Sequence, residues 1–111
     1  MLMRKMMLAL LFAISKASSY GAFAQEPGNP ESGFAYARQA CAQCHAIREG
    51  NNSSPNPQAP SFEQTANSAG MTGISLAATL HSVHEHMPNF PLSANQRDNL
   101  IAYILSLKHD R

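Results

Sequence analysis

Two cysteines and a histidine share five consecutive positions in this 111-residue chain, in the segment CAQCH at residues 41–45. Side chains three and four positions apart lie on the same face of a helix. A helix through this segment would therefore direct Cys41, Cys44 and His45 to one side. Two thiols and an imidazole placed in this way can meet one flat object, so the rest of the chain has to build a site beside them.

Three kinds of chemistry use this spacing. In covalent haem attachment, each thiol of C-x-x-C-H adds to a haem vinyl group and the adjacent imidazole coordinates the iron. A thiol redox pair favours the N-terminus of a helix that follows a strand, whereas this pair comes late in its predicted helix with no strand before it. A structural zinc site needs four ligands, so the motif would need one more from the histidines at residues 81–86. The spacing favours haem and leaves zinc open.

The N-terminus has the pattern of an export signal. Arg4 and Lys5 precede an apolar run over residues 6–14, which is too short to cross about 30 Å of hydrocarbon. A small-x-small stretch follows at residues 22–24, which is typical of a cleavage site. The sequence predicts a secretory signal peptide over residues 1–24, cut after Ala24, with an uncleaved anchor as the alternative.

The predicted cut changes the charge of the chain. Eight basic residues face seven acidic ones in the whole sequence, but three of the basic residues lie within the leader. The mature chain is therefore slightly acidic and has no electrostatic footprint for nucleic acid. About 87 residues remain, a size at which a hydrophobic core alone is marginal. We expect a cofactor to fill part of the interior.

Beyond the leader the periodicity is helical, and no strand pattern or repeat is present. A tether over residues 25–32 precedes a single all-α domain over residues 33–111. Two irregular stretches, one rich in Asn, Ser and Pro and one broken by prolines, separate the helices; such long loops are unusual unless they wrap something. The predicted helices are Gly33–His45, a short one capped by Ser61 and ending at Gly70, Ser75–His84, and a last one from the cap Ser93 to Lys108.

Four segments together resemble one protein family. They are GFAYARQACAQCH, APSF, HMPNFPLS and NLIAYILSLK, with the motif first and a Met-Pro pair about forty residues later, before the last helix. In this order they resemble the class I c-type cytochromes, small monohaem electron-transfer proteins. The resemblance implies a cytochrome c fold in which the first and last helices cross, with short helices and loops wrapped around one covalently bound haem c. It would place Gly33 and Phe34 against Leu100 and Tyr103.

The resemblance also implies a set of site residues. Cys41 and Cys44 would bind the haem, His45 would be the proximal iron ligand, and Met87 would be the distal one. The carbonyl of Pro60 would accept a hydrogen bond from the proximal imidazole, which fixes its orientation and basicity. The chain departs from the family pattern at residue 86, where a histidine stands beside the expected methionine ligand.

The remaining histidines compete with Met87 to different degrees. His86 is the main rival as a ligand, and it would give a lower potential, because a thioether favours Fe(II) relative to an imidazole. His81 and His84 are expected to face solvent or a loop. His109 is expected to be a cation at the end of the last helix or to be disordered.

Two strong axial ligands leave no open iron site for a substrate, so we expect a one-electron carrier and not an enzyme. Its partners would be redox proteins, with membranes reached only through redox complexes or an uncleaved leader. The expected form is a monomer in a bacterial-type periplasm. The alternatives are a haem subunit of a larger oxidoreductase, a haem sensor in which Met87 dissociates, and a zinc or thiol module without haem.

Overall fold

The structure is a computed structural model that describes residues 26–82 and 84–109. The predicted signal peptide over residues 1–24 lies outside these residues. Within them the chain is all-α, with no strand, as predicted. The four helices are α1, Pro30–Ala40; α2, Phe62–Ala66; α3, Gly73–His81; and α4, Ala94–Ser106.

Helix α1 begins and ends earlier than the sequence predicts. The Asn29 side chain caps it by accepting the Ser32 N–H, and Pro30 stands in the first turn, where no N–H is needed. Its first three residues thus come from the segment expected as a tether. At the other end, the Ala42 N–H bonds to the Ala37 carbonyl five residues back, which ends the α-helical ladder.

The motif therefore lies in a turn after α1 and not in the helix itself, which corrects the predicted helix Gly33–His45. The turn is still compact, because the N–H groups of Cys44 and His45 both bond to the Cys41 carbonyl. Sequence periodicity did not reveal this boundary, because the tight turn keeps nearly the helical spacing.

The first and last helices cross in close contact, as predicted. A Cβ at Gly33 would lie 2.0 Å from the Asn99 carbonyl oxygen, so the backbones touch where glycine stands. Next to this contact the rings of Phe34 and Tyr103 pack with their centroids 5.1 Å apart. The Asn29 N–H also bonds to the Asn99 side-chain oxygen at 2.7 Å. The crossing joins the two ends of the domain.

The other helices start at the residues that their capping boxes select. Ser61 and Gln64 exchange hydrogen bonds at the start of α2, and Ser93 and Gln96 do so at the start of α4, both as predicted. Helix α3 spans Gly73–His81, which corrects the predicted Ser75–His84. It begins two residues earlier because Thr72 is its cap and Ser75 is its third residue. Helix α2 stops at Ala66, four residues before the predicted end at Gly70.

The core lies between α1, α3 and α4. Its most deeply buried large side chains are Leu76, Leu100 and Ile104, and Phe62 joins them from α2. All four of these residues also line a cavity, described below, so the core is open on one side. No helix within residues 26–82 and 84–109 is long and apolar enough to cross a bilayer.

Candidate functional site

A cavity of about 410 Å³ lies between the CAQCH turn and the loop that contains Met87. This volume falls in the range of small-molecule and cofactor sites. Cys41, Cys44 and His45 line one side of it, and Met87 lines it as well. The apolar wall between them consists of Phe62, Leu76, Leu80, Leu92, Leu100 and Ile104.

His45 is held in one tautomer by its neighbour across the loop. Its Nδ1 lies 2.6 Å from the Pro60 carbonyl oxygen. A carbonyl can only accept, so Nδ1 carries the proton and Nε2 is left with a free lone pair, as a metal ligand requires. The ring of Phe62 packs beside the imidazole, with centroids 5.5 Å apart.

Backbone hydrogen bonds on both sides of His45 keep it opposite Pro60. The Cys44 carbonyl accepts the Asn56 N–H at 3.1 Å, and the Ala46 carbonyl accepts the Phe62 N–H at 2.9 Å. The long loop after the motif therefore folds back along it. This return explains how an aperiodic stretch can belong to a compact domain.

The environment of Cys41 is that of an unreactive thiol. Both cysteines are free and partly buried. Burial, and then the neighbouring Cys44, raise the pKa of the Cys41 thiol to about 11. A thiol redox pair needs a lowered thiol pKa, so this environment speaks against that alternative.

The zinc alternative lacks support in the described part of the chain. No three His, Cys, Asp or Glu side chains within residues 26–82 and 84–109 come together as metal ligands would. Cys41, Cys44 and His45 thus share a wall of the cavity without converging on a single point.

The loop on the opposite side brings Met87 and two histidines to the cavity. Met87 is half-buried, and its N–H bonds to the His84 carbonyl at 3.2 Å. His86 has a φ of 65°, in the left-handed region, and its side chain is 69% exposed beside Glu85. His84 is exposed, as expected; it also lines the cavity, and its Nε2 donates to the Thr79 carbonyl at 2.8 Å. His81 is exposed and outside the cavity lining.

Sequence reasoning missed a buried carboxylate in α2, next to the loop that follows the motif. Glu63 is only 5% exposed, and its Oε1 lies 2.6 Å from Nε2 of His109. The hydrogen bond from His109, followed by the N–H of Gly50, lowers the pKa of Glu63 against the opposing effect of burial. His109 is thus a hydrogen-bond partner and not simply a helix-end cation. The 46 residues that separate this pair left no local signal in the sequence.

Comparisons with known proteins decide the family. The model of a family described as "Cytochrome C oxidase, cbb3-type, subunit III" matches residues 28–104, which include the cavity and nearly all of the four helices. Cytochrome c-552 of Bradyrhizobium diazoefficiens is 33% identical over 101 residues, which cover 91% of this chain and 92% of that protein. The chain belongs to the c-type cytochrome family. No solved structure matches it.

As a c-type cytochrome, the protein binds haem c covalently and transfers electrons through the haem iron. The structure fits this group on three counts. The apolar cavity has two thiols and an imidazole on one wall, the imidazole presents a free Nε2, and a thioether lines the same cavity. These features could bind and orient a flat cofactor with a metal at its centre.

Proposed function

We propose that this c-type cytochrome is a one-electron carrier whose iron is ligated by Nε2 of His45 and the thioether sulfur of Met87. Cys41 and Cys44 would form the thioether bonds to the haem, and the carbonyl of Pro60 would hold the proximal imidazole. The observation that supports this most is that all five residues line one cavity. One side of the cavity carries the His45 imidazole and the other carries the Met87 thioether, as the proximal and distal sides of a haem site would.

Each residue has a physical role in this proposal. The bound haem supplies an iron that alternates between ferric and ferrous states. The hydrogen bond from His45 Nδ1 to Pro60 keeps Nε2 oriented and makes it a better donor. The Met87 thioether donates weakly to Fe(III), which favours Fe(II) and raises the potential. The apolar wall of the cavity would keep water away from the site.

The visible spectrum of the ferric holoprotein tests the ligation. A low-spin c-type spectrum with a weak long-wavelength band supports bonding between Fe(III) and the Met87 thioether. The Met87→Ala variant should lose this band, whereas the matched variant His86→Ala, in the same loop, should keep it. If the band were lost in His86→Ala and kept in Met87→Ala, the proposed distal ligand would be wrong.

For a free carrier, the partners would be redox proteins that donate and accept single electrons in the periplasm. Cytochromes c of bacteria are generally exported, and the predicted signal peptide over residues 1–24 agrees with that location. The proposed carrier is a monomer. N-terminal sequencing of protein from the periplasmic fraction would test both the export and the cut after Ala24. Recovery only from the cytoplasm would contradict this location.

A second candidate is a permanent haem subunit of a larger oxidoreductase. The description of the matching family, a subunit of a cbb3-type cytochrome c oxidase, favours it. The fold and ligands would be the same, so the assembly state decides. Purification from solubilised membranes separates the two: a complex with other subunits supports this candidate, and a free protein supports the carrier.

A sensor function, in which Met87 dissociates, makes a different prediction. The ferrous protein would then bind carbon monoxide at neutral pH, whereas a stable Met87 ligand blocks that position. Absence of a carbon monoxide spectrum in the wild type, together with its appearance in Met87→Ala, would support the carrier.

A further inference from the structure

The buried carboxylate of Glu63 does not line the cavity, and the proposed electron transfer leaves it without a role. Burying a carboxylate is unfavourable unless several donors satisfy it. Here His109 donates to Oε1 at 2.6 Å and the Gly50 N–H donates to Oε2 at 3.2 Å. The Asn52 side chain adds a smaller contribution that also lowers the pKa of Glu63. Glu63 therefore joins the C-terminal segment to the loop after the CAQCH turn.

His109, the exposed partner of Glu63, is itself held in place by hydrogen bonds. The backbone N–H of His109 bonds to the Asn67 side-chain oxygen at 2.8 Å. The Asn67 amide donates to the carbonyls of Glu63 and Leu107, at 2.8 and 3.1 Å. His109 is thus oriented toward Glu63 by its backbone, although 60% of its side chain is exposed.

On the other side of Glu63, hydrogen bonds of Asn52 and Ser61 connect to the carbonyl that binds His45. The Ser61 hydroxyl, fully buried, donates to the Asn52 side-chain oxygen at 2.6 Å. The N–H of Ser61 bonds to the Gln64 side chain at 3.0 Å. This N–H shares one peptide plane with the Pro60 carbonyl, so fixing the N–H fixes the direction of the carbonyl. That carbonyl is the one that accepts Nδ1 of His45.

We propose that Glu63 is a positioning residue for His45: its hydrogen bonds with His109 and Gly50 hold the start of α2 against the loop after the CAQCH turn, where Asn52 and Ser61 fix the Pro60 carbonyl. The inference rests on the proposed ligation of iron by His45. A well-directed carbonyl strengthens the Nδ1 hydrogen bond and makes the imidazole a better donor. A better donor favours Fe(III), so an intact network lowers the haem potential and a loosened one raises it.

The sign of the potential change distinguishes this network from a simple effect of charge. Removing the negative charge of Glu63 raises the potential through space, whatever the network does. Removing the imidazole of His109 removes either a positive charge or no charge. The direct electrostatic effect of this change on the iron therefore lowers the haem potential or leaves it unchanged. Through the network, the same removal raises it.

The test uses the ferric and ferrous holoprotein of His109→Ala, Glu63→Gln and Ser61→Ala. The first variant changes an exposed side chain, so it remains informative if a buried substitution prevents folding. His81→Ala removes an exposed imidazole, and Glu31→Gln removes an exposed charge; these are the matched controls. The measurements are the midpoint potential and the hyperfine-shifted ring-proton resonances of His45 in the ferric NMR spectrum.

We expect all three network variants to raise the potential and to move the His45 resonances in the same direction, while both controls leave the resonances in place. An unchanged or lowered potential in His109→Ala, with unmoved His45 resonances, would overturn the inference even if Glu63→Gln raised the potential. A wild-type His45 without hyperfine-shifted resonances would instead reject His45 as ligand. The two failures are therefore distinguishable.

Discussion

Replacing Gly33 by alanine tests how closely the first and last helices need to approach. The added Cβ would lie 2.0 Å from the Asn99 carbonyl oxygen and 2.8 Å from Cβ of Tyr103. Carbon and oxygen atoms make close contacts at about 3.3–3.6 Å, so α1 and α4 would have to separate by about 1.3 Å. Overpacking of this kind costs about 3 kcal/mol at the upper end of its usual range.

The higher helix propensity of alanine offsets about 1 kcal/mol of this decrease in the free energy of unfolding. The net loss is about 2 kcal/mol, which lowers the melting temperature of a domain this size by about 8–16 °C. Thermal and urea unfolding of the holoprotein, followed by far-UV circular dichroism, measure it. The covalent haem should remain, because the substitution leaves the CAQCH turn intact.

The control is Gly73→Ala, at the first position of α3. The nearest atoms to its Cβ would be those of the Glu26 carboxylate, the far end of an exposed side chain that can rotate away. Stability should therefore change by less than about 0.5 kcal/mol. If Gly33→Ala lost no more stability than Gly73→Ala, the close crossing of α1 and α4 would not be the contact that the structure describes.

Four further predictions concern the site and its surroundings. Met87→Ala should keep the haem but lower the midpoint potential, and an unchanged potential would exclude Met87 as ligand. Replacing both Cys41 and Cys44 by alanine should abolish covalent haem, which the mass of the denatured chain reveals. The lowered pKa of Glu63 stabilises the fold above the ordinary glutamate range near about 4.3; this stabilisation is lost as pH falls through the lowered value. Stability should thus fall more steeply with acid in the wild type than in Glu63→Gln, and parallel curves would contradict this. Tyr103→Phe removes the hydroxyl that donates to the Ile47 carbonyl, and the free energy of unfolding in urea should fall by about 1 kcal/mol. An unchanged free energy of unfolding would show that this hydrogen bond does not stabilise the fold.

The parts of the fold with local signals were predictable. The caps Ser61 and Ser93 start their helices where the sequence predicts, because a capping box is complete within four residues. The end of α1 was not predictable, because the turn at Cys41 preserves helical spacing while changing the hydrogen bonds. The spacing of apolar residues indicates which way side chains point, but it does not show where the backbone hydrogen bonds of the helix end.

The candidate site also contains residues that local patterns predicted and contacts that only the tertiary structure shows. The motif residues and Met87 came from short patterns and from family resemblance, and the structure brings them to one cavity. The partnership of Glu63 with His109 required tertiary structure, because nothing within α2 indicates which distant residue faces its carboxylate. The hydrogen bond from His84 to the Thr79 carbonyl likewise depends on how the chain bends after α3.

The crossing of α1 and α4 also sets the order in which the domain can fold. The Asn29 N–H and the Asn99 side chain that bonds to it are 70 residues apart in sequence. Closing a chain of that length costs about 4 kcal/mol of entropy. Because the two partners lie so far apart along the chain, α1 cannot pack on α4 until this long loop closes. We therefore expect the cysteines just after α1 to stay accessible until the two helices meet, so that haem attachment can precede closure of the domain.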